Sequence, residues 1–214
     1  MSLHDVLTLL ITQAKATPML EWIAITAAVA EVLLARANKV LLYPAGLIST
    51  LIYTWIFIQP ATKLYADAIL NVYYFIMSIY GWVLWSSKNK GHQLQITTIN
   101  QKETVMVIVF ALAGWGALYL MLTKLFLLLP GYTPSDIAVW DAFISATAWV
   151  GMWLLAKRKV ENWLLLNISN IVAIPIYINK GMPFTAALTL FLFIVATFGY
   201  FEWKKQAQTP LATA

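Results

Sequence analysis

The stretch Tyr80-Gly81-Trp82-Val83-Leu84-Trp85 closes one apolar run of this chain, and Phe198-Gly199-Tyr200-Phe201-Glu202-Trp203 closes another in the same pattern. Upstream of these endings Ala68 matches Ala186, Leu70 matches Leu188, Phe75 matches Phe193 and Ile76 matches Ile194, with no gap. Apolar residues coincide easily, but Gly and Trp do so less, and the match reads as a duplication. Leu33-Leu34-Ala35-Arg36 resembles Leu154-Leu155-Ala156-Lys157 at the corresponding earlier place and extends it.

The repeated runs are membrane spans by composition. Of the 214 residues, 61% are hydrophobic and 11% charged, against about 25% charged in a soluble domain. A span needs roughly 20 mostly apolar residues in a helix that satisfies its own backbone. Seven runs meet that requirement: Pro18 to Ala35, Val40 to Ile58, Leu64 to Trp85, Thr104 to Leu128, Ile137 to Ala156, Asn162 to Ile178 and Met182 to Trp203. Pro60, Pro130 with Gly131, Pro134, and Gly181 with Pro183 fall between them, where turns belong. Ser86 to Glu103 is the long polar loop. Ser2 to Thr17 places Leu3, Val6, Leu7, Leu10 and Ile11 on one helical face, which fits a helix lying in the interface. With His4, Asp5 and Lys15 it lacks the basic start of a removable signal peptide.

A three-span unit copied directly would point the opposite way across the membrane. One helix inserted between the copies restores the orientation and gives a parallel repeat about an axis along the membrane normal. The expected fold is therefore all-α, seven transmembrane helices in a 3+1+3 parallel repeat of the SWEET type. Its parts are an N-terminal interfacial helix over 1–17, a first three-helix repeat over 18–85, a loop and linker helix over 86–128, a second repeat over 129–205 and a tail over 206–214.

Charge sets the orientation. Arg36, Lys39, Lys88, Lys90, Lys102, Lys157, Arg158, Lys159, Lys204 and Lys205 fall on one side, and only Lys15, Lys63, Lys124 and Lys180 on the other. The positive-inside rule then puts the N-terminus outside and the C-terminus in the cytoplasm. The formal charge of +5 is thus a matter of topology and not of a nucleic-acid partner; lipid is the expected surround. Cysteine is absent, which excludes disulfides and thiolate metal sites. Neither metal nor cofactor is called for, and with His4 and His92 outside the spans no constellation points to an enzyme.

Polar groups inside spans usually face a bundle interior or a cavity. The sixth span offers Trp163, Asn167, Ser169, Asn170, Pro175 and Tyr177, and Asn170 follows Trp163 by two helical turns on nearly one face. That face suits a flat ring stacked on Trp163 and hydrogen-bonded by Asn170; an interfacial Trp anchor and an interhelical Asn fit it equally well. The third span contributes Asp67, Asn71, Tyr74 and Tyr80, which serve either a pocket or helix packing. Glu31 and Asp67 are the acidic groups placed to couple protons, or else to pair with Arg36 and to sit in the interface. An aromatic cavity with amides and few charges suits a flat, hydroxylated solute, and a cationic ring gains roughly 0.5 to 2 kcal/mol per aromatic face.

These residues carry a resemblance. Val160-Glu161-Asn162-Trp163 through Asn170 to Pro175-Ile176-Tyr177 and Lys180-Gly181, with Tyr65-Ala66-Asp67, Tyr73-Tyr74 and Tyr80-Gly81-Trp82 to Trp85, resembles the PnuC family of vitamin transporters over essentially all seven spans. The resemblance implies a bacterial cytoplasmic (inner) membrane, a vitamin held between the repeats, and facilitated diffusion made unidirectional by a cytosolic kinase that phosphorylates the vitamin. Nicotinamide riboside is the principal family substrate; related members carry thiamine or riboflavin. The family pattern on the sixth span is Trp, a second Trp three residues on, and Asn or Asp four beyond. Trp163 and Asn170 match its ends, but Leu166 stands in the middle and removes one stacking surface. The resulting expectation is uptake of nicotinamide riboside, with thiamine or riboflavin, or a non-transporting structural role, as alternatives. The expected site is Trp163, Asn170, Asn71, Tyr74, Tyr80, Leu166 and Tyr177. A homo-oligomer is compatible with this reading.

Overall fold

Where no water reaches the backbone, each N–H and C=O must find a partner within the chain, and the apolar runs do so as α-helices. The computed structural model describes residues 3–59, 65–89, 92–133 and 135–208. Among them lie α1 (Leu3–Ala16), α2 (Met19–Arg36), α3 (Leu42–Ile58), α4 (Tyr65–Ser86), α5 (Gln101–Leu120), α6 (Ala138–Ala156), α7 (Asn162–Asn179) and α8 (Pro183–Gln208). A π turn over Met121–Leu125 and a 3-10 turn over Phe126–Leu128 carry α5 onward. In the long loop β1 (Lys88–Asn89) and β2 (His92–Gln93) pair antiparallel. Expectations resting on Pro60, Lys63, Lys90 and Pro134, on the side chains of Asp67 and His92, and on the tail beyond Gln208 lie outside the described residues.

Among the described residues four helical segments are long and apolar enough to cross a membrane: Ala68–Ser86 in α4, Gln101–Leu128 from α5, Ala138–Ala156 in α6 and Pro183–Gln208 in α8. A 108° bend separates α1 from α2, and the pair counted as one span makes five. At 17 residues α3 is shorter, and α7 is made less apolar by Asn162, Asn167, Asn170 and Asn179. The chain is an all-helical membrane protein.

Helices α2, α3 and α4 pack side by side, as do α6, α7 and α8; α4 against α6 and α2 against α8 join the two groups, and α5 lies on α6. The α2–α3 and α6–α7 connections are the same turn. Asn38 (φ 55°) and Arg158 (φ 53°) both adopt the left-handed conformation. The Asn38 N–H donates to Ala35 O and that of Lys39 to Leu34 O, each at 2.9 Å; Arg158 to Leu155 O and Lys159 to Leu154 O repeat both bonds at 2.9 Å. These are the paired bonds of a Schellman motif, which satisfies carbonyls left over at a helix end. The next helix then starts alike, with Leu42 donating to Lys39 O and Tyr43 to Val40 O, matched by Asn162 to Lys159 O and Trp163 to Val160 O. The turn sets Leu34 against Leu154, one residue away from the pairing suggested by Ala35-Arg36 and Ala156-Lys157, because the bonding pattern and not side-chain identity fixes equivalence.

Two indoles cross between the groups. The Trp85 indole N–H, from α4, donates to Ala156 O at the end of α6 at 3.0 Å, and the Trp203 indole N–H, from α8, donates to Ala35 O and Arg36 O at the end of α2 at 3.2 Å. Each group of helices thereby supplies a donor to a helix end of the other. The segment before α5 docks onto the α6–α7 turn: the Thr97 N–H donates to Arg158 O, the Val160 N–H to Thr97 O, and the Ile99 N–H to the Glu161 carboxylate at 3.0 Å. A capping box between Asn100 and Glu103 then starts α5.

Candidate functional site

The end of the bundle that carries the two Schellman turns is filled with aromatic rings. Tyr43, Trp85, Trp163 and Trp203 are each at most 2% exposed and share one cluster with Ala35, Leu42 and Val160. Trp163 meets Trp203 edge to face at 5.5 Å, and Tyr43 meets Trp85 likewise at 5.2 Å. Both Tyr43 and Trp163 open their helices at matching places, and each lies on a glycine of the neighbouring helix. Tyr43 lies over Gly81; a Cβ on Gly199 would come within 2.7 Å of the Trp163 ring. The two glycines of the repeated sequence are therefore sites of close approach, where no side chain fits. The Arg36 guanidinium bonds the Glu202 carboxylate through Nε at 2.9 Å and Nη2 at the partly exposed rim of this layer. Arg158 stacks 4.0 Å above Trp85 and donates to Leu94 O, and burial lowers its pKa from the ordinary arginine value.

A second layer lies further along α2, α3, α6 and α7. Glu31 stands on the inner stripe of α2 between buried Ala24 and Ala35. Its carboxylate lies against Gly46, where a Cβ would come within 2.6 Å of Oε1. In the other group the corresponding contact is reversed: the side chain on α7, Leu166, covers the glycine on α6, Gly151, with a Cβ there 3.2 Å from Leu166. The polar residues of α7 divide by partner. Asn167 donates through Nδ2 to Thr197 Oγ1 at 3.0 Å, and Ser169 donates to Ile144 O at 3.1 Å, so both tie α7 to its neighbours. Asn170, half-buried, takes no hydrogen bond among the described residues. Several buried polar atoms also lack partners there, among them Tyr43 Oη, Ser78 Oγ, Trp163 Nε1 and Asn167 Oδ1.

The structure places the expected residues in three settings. Trp163, at 1% exposure, belongs to the aromatic layer with no open ring face. Leu166, Asn170, Asn71, Tyr74 and Tyr177 are half-buried; Tyr74 contacts Tyr73, which stacks on Trp149 at 4.6 Å and donates to its carbonyl at 2.9 Å, fastening α4 to α6. Tyr80 is 41% exposed and shares the outer stripe of α4 with Ile76 and Val83. A cavity of about 410 Å³ between α4, α5 and α6 is lined by Phe110, Trp149 and Trp153 among others, and holds none of the seven. Tyr43 and Gly46 do not stand among the seven expected residues. The matched turns lead to them, since Tyr43 follows its turn as Trp163 does, and Gly46 as Leu166 does.

A model of the nicotinamide mononucleotide transporter family matches residues 18–205, which takes in both three-helix groups. The chain belongs to that family. Among the family's curated relatives, the nicotinamide riboside transporter PnuC of Escherichia coli (strain K12) is 25% identical over 211 residues, covering 88% of this chain and 87% of that protein. The transporter of the same name from Shigella flexneri matches at the same identity and coverage. A crystal structure of the vitamin B3 transporter PnuC shares the fold, with a TM-score of 0.69 and 19% identity over 97% of this chain and 93% of that one. The family consists of transporters by description, so the chain reads as a transporter and not as an enzyme.

Proposed function

We propose that this protein carries nicotinamide riboside across the bacterial cytoplasmic membrane by facilitated diffusion, through a site between two parallel three-helix repeats. The observation that carries the reading is the family match across residues 18–205. In this reading α2–α4 and α6–α8 are the repeats, α5 is the linker, and the seven spans follow the 3+1+3 plan of the SWEET type; the shared Schellman turns and the crossed indoles support it. The N-terminus lies outside and the Arg36, Arg158 and Lys159 end faces the cytoplasm. A cytosolic kinase then traps the vitamin by phosphorylation.

Asn170 is the hydrogen-bonding group of the site, Leu166 its apolar wall, and Asn71, Tyr74 and Tyr177 its flanks. Trp163 offers a ring face only when the aromatic layer loosens. Tyr80, on the outer stripe of α4, joins the set at its rim. A second reading follows from Leu166: a smaller side chain where the family pattern has Trp leaves more room and one stacking surface fewer, which suits the larger, neutral riboflavin.

Calorimetry on the purified full chain with nicotinamide riboside, thiamine and riboflavin decides among these. Tightest binding of nicotinamide riboside is the expected result. Tightest binding of riboflavin moves the assignment to the second reading, and no heat with any of the three removes the vitamin assignment altogether.

A further inference from the structure

Glu31 sits where a carboxyl group needs a partner, and the chain's own residues give it neither a hydrogen bond nor an ion pair among the described residues. It lies on the packed face of α2, between Ala24 and Ala35, yet is half-buried and not sealed. The cations of the adjoining layer are engaged elsewhere: Arg36 with Glu202, and Arg158 with Leu94 O and the Trp85 ring. A carboxylate withdrawn from water without a partner is strongly unfavourable, and ionisable groups inside spans accordingly face a cavity or a counter-charge.

The duplication shows what is special about the place. In the second repeat the position of Glu31 is held by Gly151 and that of Gly46 by Leu166, while the position of Thr50 is held by Asn170. Thr50 turns its hydroxyl back onto Gly46 O at 2.7 Å. At matched positions the first group thus carries an acid over a bare backbone, and the second an apolar side chain and an amide with no hydrogen bond among the described residues.

We propose that Glu31 is the counter-charge for a cationic ring of the transported solute, of the N-substituted pyridinium class, with Gly46 providing the space in which the carboxylate reaches it. This rests on the reading of a vitamin site between the repeats. It accounts for the missing second ring at Leu166: charge pairing from the first repeat replaces stacking from the second.

The test uses purified full-length protein in detergent, with calorimetry against nicotinamide riboside, whose pyridinium is charged, and against 1,4-dihydronicotinamide riboside, which has nearly the same shape and no charge. Glu31→Gln keeps the side-chain volume. It is expected to weaken the pyridinium about tenfold or more and to leave the neutral ligand within about twofold. Gly46→Ala retains the acid, but its methyl must push the flexible carboxylate aside; it is expected to weaken the pyridinium several-fold with the same selectivity. Equal loss for both ligands, or no loss for either, overturns the proposal. If Glu31→Gln does not fold, Gly46→Ala decides, and pyridinium binding unchanged in that variant overturns it as well. Wild-type protein that binds neither ligand removes the nicotinamide riboside assignment and this inference together. Wild-type protein that binds both, with variants unchanged, removes this inference alone.

Discussion

Gly199 and Trp163 form one unit. A Cβ at Gly199 would come within 2.7 Å of a ring that is itself wedged edge to face on Trp203, and a rigid indole in a filled layer has no way to give. Gly199→Ala is therefore expected to lower stability by about 1–3 kcal/mol, as overpacking does, read as a fall in the thermal unfolding midpoint. The asparagines of α7 separate by the same logic. Asn167→Ala loses the bond to Thr197 and should cost about 0.5–1.5 kcal/mol, whereas Asn170→Ala removes no bond among the described residues and, with Asn170 in the proposed site, should leave melting unchanged while weakening vitamin binding. A large drop in melting for Asn170→Ala would make it helix glue instead. Trp163 and Asn170 were visible in the sequence as a spaced pair, and Gly199 as half of a repeat signature. Their contact was not visible, since it depends on how closely α7 approaches α8.

At the scale of elements, the crossed indoles tie helix ends of opposite groups. Trp85→Phe leaves the Ala156 carbonyl without its donor in a buried place, and Trp203→Phe takes the indole donor from Arg36 O and from Ala35 O, which keeps the Asn38 N–H. Each is expected to cost about 1–3 kcal/mol, with the double variant losing at least the sum in thermal unfolding, because both act on one interface. If either single variant melts like the parent, the clasp does not hold the groups together. Apolar length made the helices legible in the sequence. The positive φ at Arg158 was not, because arginine does not mark a left-handed turn. At Arg158 that conformation costs about 1–2 kcal/mol, offset by stacking on Trp85 and bonding to Leu94, contacts made across the molecule. The one-residue slip in matching α2 to α6 has the same origin: Leu-Leu-Ala occurs in both, and only the turn hydrogen bonds say which leucine is which.

For the whole molecule, the two groups are closed at one end by matched devices: the same turn, an aromatic ring on a glycine, and indoles exchanged in both directions. Opening that end requires both to yield together. The ion pairs among the described residues, Arg36 with Glu202, Lys159 with Glu103 and Lys180 with Asp136, lie at helix ends and not along the interior. No chain of paired acids and bases runs through the bundle among those residues, as a proton relay would need. Purified protein in liposomes loaded with unlabelled nicotinamide riboside is therefore expected to draw in labelled vitamin by exchange, with no imposed gradient of protons. Imposing a pH difference of either sign should leave the initial rate unchanged, and a membrane potential should act only as it acts on a cationic solute, by about 2.3 kcal/mol per charge per 100 mV. Uptake that stops without an inward proton gradient would overturn facilitated diffusion and would make Glu31 a proton carrier instead of a counter-charge; replacing it by glutamine would then abolish the gradient dependence along with transport.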